Sequence, residues 1–169
     1  MFACWSNRSS LWESSLALWR IPLAVDGRWT AAAWALEGAA IVWVGMRQEK
    51  ILARGFGYFL LYAAGAAFFL DAPGSRGAVP VLNSFYLSCV MIAVAALFSA
   101  WFLKHRRRRL NDESAIVAVA LFCWGCAWWL GGGLAEVHEQ VARAYRLHAA
   151  LFFITASCAL FSYLHRRID

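Results

Sequence analysis

Charge is scarce in this 169-residue sequence, where charged residues make up 15% of the chain. Soluble globular domains carry about 25% charged and roughly 45–50% apolar residues. Here the hydrophobic share is 62%, which is more apolar surface than a soluble core of this size can bury. The shortage of charge therefore excludes an ordinary soluble domain and indicates a membrane protein.

Also missing is the alternation of apolar and polar residues, with a period of two, that marks a transmembrane strand. The apolar residues instead form long stretches, and a spanning helix needs roughly 17–25 such residues. Five stretches of suitable length cover residues 30–46, 51–70, 81–103, 114–130 and 147–164. The sequence thus predicts an all-α fold, a transmembrane bundle of about five spanning helices.

The N-terminal segment lacks the uninterrupted apolar core of a removable signal peptide. Leu11 to Leu18 could begin a helix, which Pro22 limits. We interpret residues 1–29 as an interfacial helix or the truncated end of another span, and residues 30–169 as the multi-pass membrane domain. Whether residues 9–25 form a further membrane-inserted helix stays open.

Repeated ligand pairs, which a metal or redox site needs, are scarce as well. Cys123 and Cys126 have the spacing of such a pair, but no second pair follows, and apolar residues surround them. His138 lacks the second helical histidine of a zinc-hydrolase motif, so we assign it to a solvated loop at residues 134–146. We therefore predict no cofactor and no metal, and expect Cys123 and Cys126 to be free thiols.

Basic residues exceed acidic ones, giving a net charge of +6, with one dense run at Lys104 and Arg106 to Arg109. Nucleic acid is not the expected partner, because basic loops beside apolar spans are what membrane insertion selects. If the run is cytoplasmic, ten of the Lys and Arg residues lie inside and six outside. This favours a multi-pass membrane protein with its N-terminus outside and its C-terminus in the cytoplasm.

Several segments resemble a recurrent part of the large bacterial membrane proteins grouped as the domain-of-unknown-function 2339 family. They are Ile21-Pro22-Leu23, Gly27-Arg28-Trp29-Thr30, Trp34-Ala35-Leu36-Glu37-Gly38-Ala39, Gly45-Met46-Arg47, Pro80-Val81-Leu82-Asn83 and Phe98-Ser99-Ala100-Trp101. The likeness covers roughly residues 20–165 and implies a C-terminal piece of a longer polytopic protein. It also implies the bacterial inner (plasma) membrane as the location. It implies no reaction, because the family has no assigned activity.

Glu37 is the most informative single residue, since it is the acidic side chain placed well inside a predicted span. A carboxylate near the bilayer centre is costly, so we expect Glu37 to face other helices and to be protonated. The proposed topology puts Tyr62, Asn83 and His148 in the same outer half of the membrane. These four residues form the possible intramembrane polar site. A stripe of small residues on the same helix predicts close helix contact: Ala31, Ala35, Gly38, Val42 and Gly45.

Two functional hypotheses follow. The first is a structural or assembly part of a larger membrane protein, with the lipid bilayer and other helices as its partners. The alternative is a transporter or membrane-embedded enzyme that uses an outward-facing polar cavity around Glu37. No inverted repeat supports transport, and no nucleophile and base pair supports an enzyme, so the structural hypothesis leads and catalytic residues stay unknown.

Overall fold

Five long helices make up almost all of the structure, a computed structural model that describes residues 27–70, 80–105 and 112–168. They are α1 (Gly27–Arg47), α2 (Ile51–Leu70), α3 (Ser84–His105), α4 (Asp112–Gln140) and α5 (Arg146–Ile168). Each is long and apolar enough to cross a membrane. Helices suit lipid because they satisfy every backbone polar group internally. The predicted all-α transmembrane bundle is confirmed.

Three sequence interpretations fall on other parts of the chain. Residues 1–26, which include the candidate helix at 9–25, lie outside the described residues, as do residues 71–79 and the basic run Arg106 to Arg109. The interpretation of the N-terminal segment therefore stays a prediction.

A tight turn joins α1 to α2. The Lys50 N–H donates to the carbonyl of Gly45 at 3.0 Å, while Glu49 takes a left-handed conformation with φ 56°. This bond pattern is the Schellman motif, in which the left-handed position is usually glycine. The turn is short enough to make α1 and α2 antiparallel neighbours.

The α1–α2 interface depends on side chains small enough to let the two backbones approach. A Cβ atom added to Gly38 would lie 3.0 Å from the carbonyl oxygen of Gly57, and one added to Gly45 would lie 2.9 Å from the amide nitrogen of Arg54. Ala31, Ala35 and Val42 on the same stripe are at most 1% exposed. The prediction that this stripe of small residues makes close helix contact is confirmed.

The centre of the bundle is α3, which packs against α1 on one side and α4 on the other. Its buried face is made largely of small residues, namely Ser88, Cys89, Ala93, Ala95, Ala96, Ser99 and Ala100. A Cβ added to Gly125 or to Gly132 of α4 would meet Leu97 or Cys89 of α3, respectively. These pairs make α3 and α4 antiparallel.

Aromatic rings join α2 to α4. Tyr62 lies 5.2 Å from Trp124 between ring centroids, and Phe68 lies 5.2 Å from Trp128 in an edge-on arrangement. Gly65 leaves the space for both tryptophans, since a Cβ there would lie 2.5 Å from Trp124 and 2.9 Å from Trp128. This layer of rings fills the gap between α2 and α4, which share no small-residue stripe.

The length of α4 corrects one sequence boundary. We expected the fourth span to end at residue 130, just before the three glycines 131–133, but the helix continues through them to Gln140. Gly132 lies against Cys89 of α3, and Gly133 lies against the ring of Phe153 of α5. Gly132 and Gly133 therefore serve close packing. The helix continues through the glycines because lipid offers its backbone no water to bond instead.

The last helix, α5, is the least buried of the five. It contacts α4 through Trp129, whose indole N–H donates to the hydroxyl of Ser157 at 3.0 Å. The Trp129 ring also packs against Phe153 and Phe161, with centroids 6.3 Å away in both cases. A short patch on one side of α5 thus attaches it to α4.

Candidate functional site

The most elaborate polar site in the described residues centres on a buried carboxylate, that of Glu136, at one end of the bundle. Glu136 is 8% exposed and accepts two hydrogen bonds from the Asn83 side-chain amide, at 2.9 Å to Oε1 and 2.8 Å to Oε2. The backbone N–H of Val81 donates a third bond to Oε1 at 2.8 Å. We call Glu136, Asn83 and Val81 the Glu136 clamp.

The extension of α4 past its glycines puts Glu136 in this position. We assigned residue 136 to a solvated outer loop, and that assignment is wrong because the residue lies on the buried side of α4. The sequence did hold a signal, since Leu134, Ala135 and Val137 continue the apolar character of the helix beyond Gly133. Glycines often end helices in water, because water can bond to the exposed backbone. That reason does not apply in lipid, where the helix continues.

Asn83 acts on two elements at once. Its side-chain oxygen accepts a bond from the Tyr86 backbone N–H at 2.7 Å, which caps the N-terminus of α3. Its amide group binds Glu136 across the helix pair. One side chain therefore fixes both the start of α3 and the position of α3 relative to α4.

The loop that enters the clamp has a strained backbone. Val81 has φ 64°, and the Leu82 N–H donates to the Pro80 carbonyl at 2.7 Å, which closes a three-residue turn. A positive φ is unfavourable for a β-branched residue and costs on the order of 1–3 kcal/mol. The turn directs the Val81 N–H at Glu136, and a hydrogen bond of this kind contributes about 0.5–1.5 kcal/mol. The clamp thus stabilises a conformation that the loop alone disfavours.

The chemistry of the clamp suits fixation more than catalysis. Three donated hydrogen bonds occupy most of the acceptor sites of a carboxylate, which number about four. A general base or cation ligand needs those sites open. Across the described residues, no three His, Cys, Asp or Glu side chains come together as metal ligands. The arrangement can hold α3, α4 and the turn at residues 80–82 in one register.

Glu37, the residue singled out from the sequence, points away from the bundle. It is exposed, as are Ala33, Trp34 and Ala40 on the same face of α1. No helix of the described residues covers this side chain, so our expectation that Glu37 faces other helices stays a prediction. Its outward direction follows from helical geometry: successive residues are about 100° apart, so Glu37 cannot share a direction with the stripe that buries Gly38.

The other three residues of the expected polar site lie in separate surroundings. Tyr62 packs against Trp124, Asn83 belongs to the Glu136 clamp, and His148 is exposed near the start of α5. The structure brings none of these three residues into hydrogen-bond contact with Glu37. Asn83 does bind a carboxylate, but its partner is Glu136.

The paired cysteines face different surroundings as well. Cys123 is exposed on α4, Cys126 is half-buried, and both are free thiols. They lie about one helical turn apart on α4.

Comparison with known proteins identifies a family and no activity. Residues 3–169 match the sequence profile of the family described as predicted membrane protein (DUF2339). No curated protein and no solved structure matches the chain. Since the match covers nearly the whole sequence, the chain belongs to this family, and the resemblance inferred from its residues is confirmed.

Proposed function

We propose that this member of the family is a helical module that packs against further transmembrane helices, as a structural or assembly part of a larger membrane protein. The observation that carries the proposal is the position of Glu37. This carboxylate lies near the middle of the span Trp29–Arg47 on a face turned away from α2 and α3.

The energetic argument rests on lipid as a solvent. Placing an acidic residue at the centre of a lipid-facing helix costs at least about 2.5 kcal/mol by insertion measurements. Thr155, also exposed, avoids much of this cost because its hydroxyl donates to the Leu151 and Phe152 carbonyls of its own helix. Glu37 has a longer, ionisable side chain, and a donor from another helix would remove its cost.

The surroundings of Glu37 suit such a contact. Ala33 and Ala40 lie one turn away on either side and are small, which lets another backbone approach closely. Trp34 on the same face offers an indole N–H and a large contact surface, being 41% exposed. A helix bearing an amide or hydroxyl at the depth of Glu37 would complete the interface.

The test is to add bulk to this face without changing charge. Ala40→Leu should lower the fraction of chains found in the larger assembly, measured by native mass spectrometry from mild detergent. The matched control is Ala66→Leu on the exposed face of α2, which should leave the assembly unchanged. Equal assembly in both variants would refute the proposal.

Variants of Glu37 itself separate assembly from chemistry. Glu37→Gln keeps the hydrogen-bonding shape and should preserve the assembly, whereas Glu37→Leu should weaken it. If Glu37→Gln assembles normally but abolishes a cellular phenotype, the titratable proton matters. That outcome would favour the transporter or membrane-embedded enzyme.

For topology, our proposal keeps the N-terminus outside and the C-terminus in the cytoplasm of the bacterial inner membrane. It is supported by the ten basic residues on one side against six on the other. Single cysteines at positions 76 and 108, in a background without native cysteine, can be labelled with an impermeant reagent. Position 76 should react in intact cells, and preferential labelling of position 108 would reverse the orientation.

A further inference from the structure

A long apolar cleft of about 940 Å³ lies between α3, α4 and α5, away from the Glu136 clamp. It exists because α5 is attached through Trp129 and its neighbours, while the C-terminal half of α5 stands apart from α3. Its walls include Phe98 and Trp101 of α3, Phe122 of α4 and Leu160 of α5. In a membrane such a cleft opens sideways to the lipid.

The charge on the cleft is confined to one end. Every residue lining it is apolar or aromatic except Lys104 and His165, which lie near the C-terminal ends of α3 and α5. Arg166 and Arg167 follow on α5, and both are exposed. The end of the cleft at Lys104 and His165 is thus basic, which suits an anionic head group.

The length of the cleft distinguishes a lipid chain from a helix. From Val94 to Lys104 along α3 the rise is about 15 Å, which is half of a hydrocarbon layer of about 30 Å. Trp129, which bonds to Ser157 and packs against Phe153, lines the cleft at the level of Val94. A transmembrane helix would need a groove through both leaflets, whereas one acyl chain occupies one leaflet.

We infer that this cleft binds an acyl chain of an anionic phospholipid from the leaflet at the basic end of the bundle, with the lipid phosphate beside Lys104 and His165. The chain fills the space between α3 and α5 and completes the contact that α5 lacks. Lys104 and His165 give the preference for an anionic head group, and Trp129 limits how far the acyl chain enters the cleft.

The test uses the purified chain in mild detergent and native mass spectrometry. Phosphatidylglycerol and phosphatidylcholine with identical acyl chains are added separately, and inorganic phosphate is added in a third arm. One phosphatidylglycerol should be retained about five-fold more tightly than one phosphatidylcholine, since a basic residue near the surface contributes about that factor. Equal retention of the two lipids, or binding of phosphate without a lipid chain, would overturn the inference.

Two pairs of variants assign the binding to this cleft. Lys104→Gln should remove most of the preference for phosphatidylglycerol, whereas Lys50→Gln, at an exposed basic residue outside the cleft, should not. Ala118→Phe fills the cleft and should lower retention of both lipids, whereas Ala120→Phe, on the exposed face of the same helix, should not. Equal effects within either pair would refute the site.

A measurement on the unmodified chain removes dependence on the folding of the variants. Phosphatidylglycerol with a photoreactive diazirine near the end of one acyl chain is incorporated into vesicles with the protein. Peptide mapping should locate the adducts mainly on the cleft residues Val94, Leu97 and Phe122. Adducts spread evenly over all exposed helix faces would contradict the inference, as would a crosslink from these positions to another protein helix.

Discussion

Gly57 and Gly55 provide a direct test of how α1 and α2 are held together. Both lie on α2, but Gly57 is buried against α1 while Gly55 is exposed with nothing within 4 Å of a Cβ placed there. A Cβ on Gly57 would lie 2.7 Å from Cγ2 of Val42, 2.9 Å from its amide nitrogen and 2.9 Å from the Gly38 carbonyl oxygen. Two of these atoms are backbone, so the helices themselves must separate.

The magnitude follows from two opposing terms. Replacing glycine by alanine favours a helix by about 0.5–1 kcal/mol, and this gain applies at both positions. Overpacking a tight interface costs about 1–3 kcal/mol, and this cost applies at Gly57 alone. We therefore expect the free energy of unfolding of Gly57→Ala to be about 1–3 kcal/mol below that of Gly55→Ala, with the propensity term cancelling in the comparison.

The assay is reversible unfolding by SDS in lipid and detergent bicelles, followed by far-ultraviolet circular dichroism. Steric trapping gives an independent value under conditions closer to the bilayer. Equal unfolding free energies for Gly57→Ala and Gly55→Ala would show that α1 and α2 do not touch at these glycines. Such a result would refute the packing argument for the whole stripe of small residues.

Three further predictions use the same assay. Glu136→Gln removes one acceptor and places an amide against the Asn83 and Val81 donors, so it should destabilise the protein by about 1–3 kcal/mol. The control Glu139→Gln, at an exposed site, should change stability by less than about 1 kcal/mol, and equal losses would contradict the clamp. Glu49→Gly should stabilise the α1–α2 turn by about 1 kcal/mol, since glycine adopts the left-handed conformation without the Cβ penalty, and a loss of stability would count against that conformation. Ser157→Ala leaves the Trp129 indole without its acceptor and should cost about 0.6–1.7 kcal/mol, so an unchanged stability would show that this bond does not attach α5.

Much of the fold was predictable because lipid makes the rules for spans simple. A stretch of about 20 apolar residues must be a helix, since no other single segment satisfies its backbone in hydrocarbon. The same reasoning identified the stripe through Gly38 and Gly45, because small residues at helical spacing permit close approach. Both predictions depend on local sequence and on the solvent, and both are confirmed.

The Glu136 clamp could not be predicted because it depends both on where α4 ends and on the turn that precedes α3. The sequence rule that glycines end helices comes from water, where an exposed backbone competes for hydrogen bonds, and it placed residue 136 in a loop. The partner of Glu136 includes the Val81 N–H, which points at the carboxylate through a turn with φ 64° that valine seldom adopts. Neither the pairing nor the turn leaves a periodic trace in the sequence.

Polar side chains of this bundle differ in how they meet the demands of lipid, and the difference explains the outcome for Glu37. Ser99 and Thr155 donate to carbonyls of their own helices, while Glu136 and Trp129 find partners on a neighbouring helix. Glu37 follows neither course, because the stripe beside it takes the buried direction of α1. Since glycine contacts fix that direction, α1 cannot rotate to bury Glu37 without separating from α2. The packing of the described helices therefore holds the carboxylate outward, where the further helix that we propose would supply its hydrogen-bond donor.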